Sequence, residues 1–187
     1  MSVFLSYAEE DADLVHRVFQ IFERMELEPY AYKLFEESGL VLEEVIIQRI
    51  NACKVFIPFL TFVGTSSSWV NQEIGIARAL NRFTIPVVEE GVDLSKVGLV
   101  QFRIYIPFSR HDPDYTIYLL IRRMQSILNP TAILLECKCG NKIRGKIPSP
   151  GEIDNAVTKG LILLWDCSDC GSRIELFPKT LEQLPQQ

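Results

Sequence analysis

Two groups of residues in this chain carry chemistry. The first is a single acid, Glu73, in the stretch Ser66 to Phe83, SSSWVNQEIGIARALNRF. Read as a helix capped by Ser68, this stretch sets Trp69, Val70, Ile74, Ile76, Ala77 and Leu80 on one apolar arc. At about 100° per residue Glu73 falls roughly 40° from Trp69, inside that arc and away from Asn71, Arg78 and Arg82. A carboxylate on a core-facing side is costly, and it persists where a partner satisfies it or a pocket uses it. A capping-box role would need Ser or Thr three residues earlier, and position 70 is Val. A structural ion pair and an acid at a cleft remain. The second group is Cys137, Cys139, Cys167 and Cys170, in the runs CKCG and CSDCG. Thiolates two or three positions apart, each pair followed by Gly, can close a tetrahedron around one metal ion. Two disulfides are the competing arrangement.

Other candidates carry less. His16 lies on the polar side of its helix and His111 in a loop, both in positions of surface residues. No Ser-His-Asp or Cys-His set is visible, and no GxGxxG or Walker loop follows the first strand. Cys53, in apolar surroundings, reads as packed. With 187 residues and 48% hydrophobic content, the chain has material for one full domain and a small annex, which we divide as 1–130 and 131–187. A net charge of -5 argues against nucleic acid as a partner. From Glu136 onward seven basic residues face seven acidic ones, so Lys138, Lys142, Arg144 and Lys146 read as a solvated hairpin rather than a docking patch. The start MSVFLSYAEEDAD lacks a basic leader, and Arg122 and Arg123 interrupt the longest apolar stretch, so we expect a soluble cytoplasmic protein with no membrane span.

The elements that must position Glu73 alternate. Strands are expected at Val3–Tyr7, Tyr30–Phe35, Val55–Leu60, Thr84–Val88 and Arg103–Ile106. Helices are expected at Asp11–Met25, Leu40–Ala52, the Glu73 stretch and Asp112–Leu128. Five strands alternating with helices imply a flavodoxin-like α/β fold, a five-stranded parallel sheet with helices on both faces and an order such as 2-1-3-4-5. Ligands then bind outside the carboxyl ends of the strands, where Ser6-Tyr7-Ala8, Glu36 to Gly39 and Thr61 to Trp69 lie. In the annex Pro148 to Gly151 reads as a Pro/Gly-rich connection and Leu161 to Trp165 as a strand.

The residues VFLSY at Val3 to Tyr7 followed by acids, the Glu37-Ser38-Gly39 turn, INACK before the strand VFIPFL, and SSSWVNQEIGIA together resemble a Toll/interleukin-1 receptor (TIR) domain over about Met1 to Leu128. The most specific element is Ser67 and Trp69 followed four residues later by Glu73. TIR domains occur as self-associating signalling modules and as enzymes that cleave NAD+ at its nicotinamide bond. The resemblance to the enzymatic, prokaryotic type implies Glu73 as the catalytic residue. It implies Trp69 and Tyr7 on the nicotinamide side, further NAD+ contacts from Ser6, Ala8, Phe35 and Gly39, and a gating loop at Glu36 to Leu40. Val70 stands where the family usually has cysteine after the tryptophan, and Ala8-Glu9 where some family enzymes carry basic residues.

The cysteine pattern is similar to a small β zinc ribbon, implying structural zinc on Cys137, Cys139, Cys167 and Cys170, with iron in a rubredoxin-like site as the other metal. The function implied is an NAD+ glycohydrolase or ADP-ribosyl cyclase of a signalling or antiviral defence system, partnered by its own copies or other TIR domains. The alternative is a non-catalytic adaptor that acts by TIR-TIR association.

Overall fold

The computed structural model describes residues 1–32, 42–97 and 104–185. Contacts divide the chain into two compact units, one of Met1–Gln20 with Glu28–Thr116, the other of Ile21–Leu27 with Ile117–Gln187.

The first unit is built on a parallel sheet. Its strands are β1 (Ser2–Ser6), β2 (Glu28–Tyr30), β3 (Val55–Leu60), β4 (Phe83–Thr84), β5 (Val87–Glu89) and β6 (Ile106–Phe108). They run β2-β1-β3-β5-β6, with β4 pairing the first half of β3. Counting β4 and β5 as one interrupted strand, this is the expected order 2-1-3-4-5 and the flavodoxin-like α/β fold. Every residue of VFIPFL in β3 is buried, as a central strand covered on both faces requires. Alternation then sorts the side chains. Phe4, Phe56 and Leu60 face one way with Val88, joining Ile46 and Ile50 of α2 (Leu42–Ala52) and Val70, Ile74 and Ala77 of α4 (Ser68–Ala79) in one apolar cluster. Phe4 stacks on Phe56 at 5.6 Å and tilts on Tyr30 at 5.4 Å between ring centroids. Val3, Leu5, Val55, Ile57 and Phe59, of opposite parity, are no less buried. Leu14, Val15 and Val18 of α1 (Ala12–Arg24) are buried on the stripe that their spacing dictates.

Several boundaries differ from expectation for local reasons. The second strand begins two residues early, at Glu28, because the chain reverses at Glu26 in a left-handed conformation (φ 55°) and sets Ser2 opposite Glu28 at once. Lys33 to Val41, which hold the rest of the expected strand, the expected gating loop, Phe35 and Gly39, lie outside the described residues. The fourth strand is split at Ile85-Pro86, since proline offers no N–H to the ladder. The fifth contains Pro107 instead of stopping before it. Among the described residues β6 pairs with β5 alone, as an edge strand where proline is tolerated. The expected start of that strand, at Arg103, lies outside the described residues.

In the second unit α5 (Pro113–Leu128), most of which belongs here, precedes the hairpin β7 (Ala132–Glu136) and β8 (Lys142–Lys146), then α6 (Pro150–Lys159), then the hairpin β9 (Leu163–Asp166) and β10 (Arg173–Leu176). Its buried side chains include Phe22, Met25, Leu120, Met124, Ile133, Ile153 and Ile174. The Pro/Gly-rich connection Pro148 to Gly151 leads directly into α6, with Ser149 as its cap and Pro150 and Gly151 as its first residues. Ser149 and Glu152 form a reciprocal capping box, with Pro150 in the first turn. β9 starts at Leu163, two residues after the expected start, because Leu161 still bonds back to the carbonyl of Ala156 through its amide. Among the described residues no helix is long and apolar enough to cross a membrane.

Candidate active site and metal centre

The strand order reverses between β1 and β3, so the crevice of this sheet opens at the carboxyl ends of those two strands. β1 delivers Ser6, Tyr7 and Ala8 to that rim, and β3 delivers Thr61 and then α3 (Phe62–Ser66). α3 runs directly into α4. The cap of α4 is Ser67 rather than Ser68, its hydroxyl accepting from the amide of Val70, because Ser67 is the last extended residue (φ -71°, ψ 118°).

Glu73 lies on the buried face of α4 with Val70, Ile74 and Ala77 and is 2% exposed. The phase read from helical spacing is thus the one observed. Trp69, half-buried one turn earlier, tilts at 35° onto Tyr32 with ring centroids 5.6 Å apart. Tyr7 is 4% exposed, and its hydroxyl has no hydrogen-bond partner among the described residues. Burial, then the charges of Glu9 and Glu73, push its ionisation up to about 12, so Tyr7 stays a neutral donor within the electrostatic reach of Glu73. The buried Ser6 hydroxyl is likewise without a partner among the described residues. Orphaned polar atoms of this kind are rare in a packed interior, and two adjacent ones at the mouth of a sheet suit a ligand. Ala8 is buried and supplies only backbone at this rim.

Beyond these lies a cluster that sequence reasoning missed. Asp11 and Glu89, 4% and 6% exposed, share the guanidinium of Arg110, and Asp11 also accepts from Thr61. Burial raises Asp11 above the usual carboxylate range, with Thr61 and Arg110 working against that rise. The signal was present but crowded. Asp11 is one of four acids in EEDAD, and Glu89 one of two ending an apolar run, with nothing in the spacing to say which turns inward. Of the two histidines, His16 is exposed and pairs with Gln20, and Cys53 is buried with its thiol on the Ile50 carbonyl, pushed up to about 11 chiefly by burial.

In the second unit the ligand atoms of Cys137, Cys139, Cys167 and Cys170 lie within 4.8 Å of one another. The Sγ atoms of Cys137 and Cys170 are 3.5 Å apart and those of Cys139 and Cys167 3.9 Å, near the roughly 3.8 Å edge of a tetrahedron with 2.3 Å zinc–sulfur bonds. Each knuckle turns on a left-handed glycine, Gly140 (φ 87°) and Gly171 (φ 70°). Asn141 donates to Asp169 at 2.7 Å, tying one knuckle to the other. The donor set, spacing and turn geometry therefore fit one tetrahedral metal ion.

A doubly wound parallel sheet in the order β2-β1-β3-β5-β6 defines an α/β protein of flavodoxin-like topology. A family model described as TIR domain matches residues 3–120, and the chain belongs to that family. Among solved structures it is similar to the Clostridium botulinum CMP N-glycosidase BcmB, at 20% identity and a TM-score of 0.47, over 64% of this chain and 98% of that one. No curated protein matches the chain.

Proposed function

We propose that this TIR domain cleaves NAD+ between nicotinamide and ribose, with Glu73 as the catalytic residue. The observation that carries the reading is a glutamate 2% exposed on α4, the helix that follows the carboxyl end of β3, where Ser6 and Tyr7 at the end of β1 bury hydroxyls without partners among the described residues. Nicotinamide leaves as a neutral molecule from a cationic pyridinium, so no general acid is required, unlike the paired carboxylates of ordinary glycoside hydrolysis. A single acid suffices. Glu73 hydrogen-bonds the ribose hydroxyls and stabilises the oxocarbenium-like charge that develops as the bond breaks. Trp69, braced by Tyr32, offers an aromatic plate to the nicotinamide ring. Ser6 and Tyr7 supply the donors that burial has left without partners, and backbone at Ala8 with Phe35 and Gly39 completes the contacts with NAD+. Attack by water gives ADP-ribose, and attack by a group of the same molecule gives a cyclic product.

Within this proposal residues 1–130 form the catalytic module, and 131–187 form a zinc-ribbon-like annex. Cys137, Cys139, Cys167 and Cys170 would hold zinc through four thiolates, and its binding would contribute folding free energy to the annex. Association with its own copies or other TIR domains, a cytoplasmic setting and a role in prokaryotic antiviral defence follow the family analogy. The test is nicotinamide release from NAD+ by the purified chain over a wide range of protein concentration. Release that rises faster than linearly with protein supports an enzyme activated by clustering. No release at any concentration, with TIR assembly intact, leaves the adaptor reading in its place.

A further inference from the structure

The carboxyl ends of β1, β3, β5 and β6 meet in one charged knot at the start of α3. Arg110, which follows β6, donates from Nε to Glu89 Oε1 at 2.5 Å and from Nη2 to Glu89 Oε2 and Asp11 Oδ1, each at 3.2 Å. Glu89 Oε2 also accepts from the amide of Phe62 at 3.0 Å. Thr61 Oγ1 donates to Asp11 Oδ2 at 2.6 Å and accepts from the amide of Gly64 at 2.8 Å. The two acids thus hold the first turn of α3 from two sides, one directly and one through its cap. Gly64 is pressed onto the preceding strand so closely that an added Cβ would stand 2.2 Å from the carbonyl oxygen of Phe59. The far end of α3 is tied just as firmly to α4. The amide of Ser67 donates to the carbonyl of Gly64 while its hydroxyl caps α4, and the Asn71 side chain donates to the carbonyls of Thr65 and Ser67 at 3.0 and 2.9 Å. Hydrogen bonds therefore run without a break from Arg110 to the first turn of the helix that carries Trp69 and Glu73.

Charge makes Arg110 the critical member. Two buried carboxylates face each other across one guanidinium that is itself half exposed, so without it both acids would be stranded in low dielectric. We infer that Arg110 is a positioning residue: by joining Asp11 to Glu89 it clamps α3 and so fixes where α4 presents Trp69 and Glu73 at the crevice. The kinetic consequence rests on the proposed role of Glu73, whereas the clamp itself does not.

The test uses the full chain and two readouts on Arg110→Gln, Arg110→Lys and the double variant Glu89→Gln with Arg110→Gln. In hydrogen exchange, Arg110→Gln should speed the amides of residues 62–73 by about tenfold or more while those of β1 and the second half of α2 stay as in the wild type. The double variant, which restores the net charge of the cluster, and Arg110→Lys, which retains it, should both recover most of the protection. In NAD+ cleavage, the single glutamine variant should lose about 10- to 100-fold in kcat with little change in KM, because α4 is displaced relative to bound substrate. Unchanged exchange at 62–73, or a rise spread evenly over the first unit, would overturn the inference, as would failure of the double variant to restore protection. If Arg110→Gln does not fold, Arg110→Lys and the double variant decide alone: protection of 62–73 in both supports the clamp and loss in either refutes it. A wild type that releases no nicotinamide counts against the proposed activity, and the exchange arm still judges the clamp.

Discussion

Glu73, Tyr7 and Trp69 make separable demands. Tyr7 buries a hydroxyl for which no described residue offers a partner, so Tyr7→Phe removes an unmet polar group from the fold. The melting temperature should hold or rise, while kcat/KM for NAD+ should fall roughly three- to tenfold, the worth of one ordinary hydrogen bond to substrate. A lowered melting temperature with unchanged turnover would mean that the hydroxyl serves the core. Trp69 is half-buried and leans on Tyr32, so Trp69→Ala should weaken cleavage and leave a folded protein. A loss of about 3–5 kcal/mol in urea unfolding would instead mark it as a core tryptophan.

At the level of elements, legibility followed length. α4 spans three turns, enough for the 3.6-residue period to assign Glu73 to the buried face from sequence alone, and the six apolar residues of β3 could be read as a central strand. β2 and β6 have three residues each, too few to show a period, and their positions are set by pairing with β1 and β5. α6 was hidden because Pro148, Pro150 and Gly151 read as breakers, although Ser149 and Glu152 spell a capping box. The Asp11–Arg110–Glu89 cluster joins residues up to 99 positions apart, a distance over which spacing carries no information. Gly64 offers a direct test of the packing of α3. With backbone 2.2 Å from the added methyl, Gly64→Ala should cost about 1–3 kcal/mol in urea unfolding, and a neutral substitution would contradict the close approach. In the second unit Asp154 accepts from Tyr118 and Arg122, and the Tyr118 hydrogen bond followed by Arg122 holds it below its ordinary value. A carboxyl lowered by folding adds stability above its unfolded pKa of about 3.9 and loses it as pH falls through the folded value. Asp154→Asn should therefore melt below the wild type at pH 7, with the gap narrowing as the pH falls below about 3.9. A gap that does not narrow on acidification would exclude the ionised carboxylate as its source.

The whole molecule pairs a catalytic proposal in one compact unit with a thiolate cluster in the other. Four sulfurs within 4.8 Å are a poor arrangement without a cation and a fitting one with it, so we expect about one zinc per chain by elemental analysis. Chelation should unfold β7 to β10, seen as lost exchange protection, while the parallel sheet keeps its own. Absence of metal together with loss of free thiols would point to disulfides. Gly145 gives that fold a second constraint, since Trp165 lies on it so closely that an added Cβ would meet the indole nitrogen at 2.8 Å. The measurement that bears most directly on the account is nicotinamide release by Glu73→Gln beside the wild type, each with a thermal melt. The substitution retains size and packing but removes the negative charge, so catalysis by Glu73 predicts a melt like that of the wild type with cleavage reduced by about 10²-fold or more. A structural ion pair would instead lose about 3–5 kcal/mol of stability. Wild-type turnover in a well-folded Glu73→Gln protein would contradict the assignment outright.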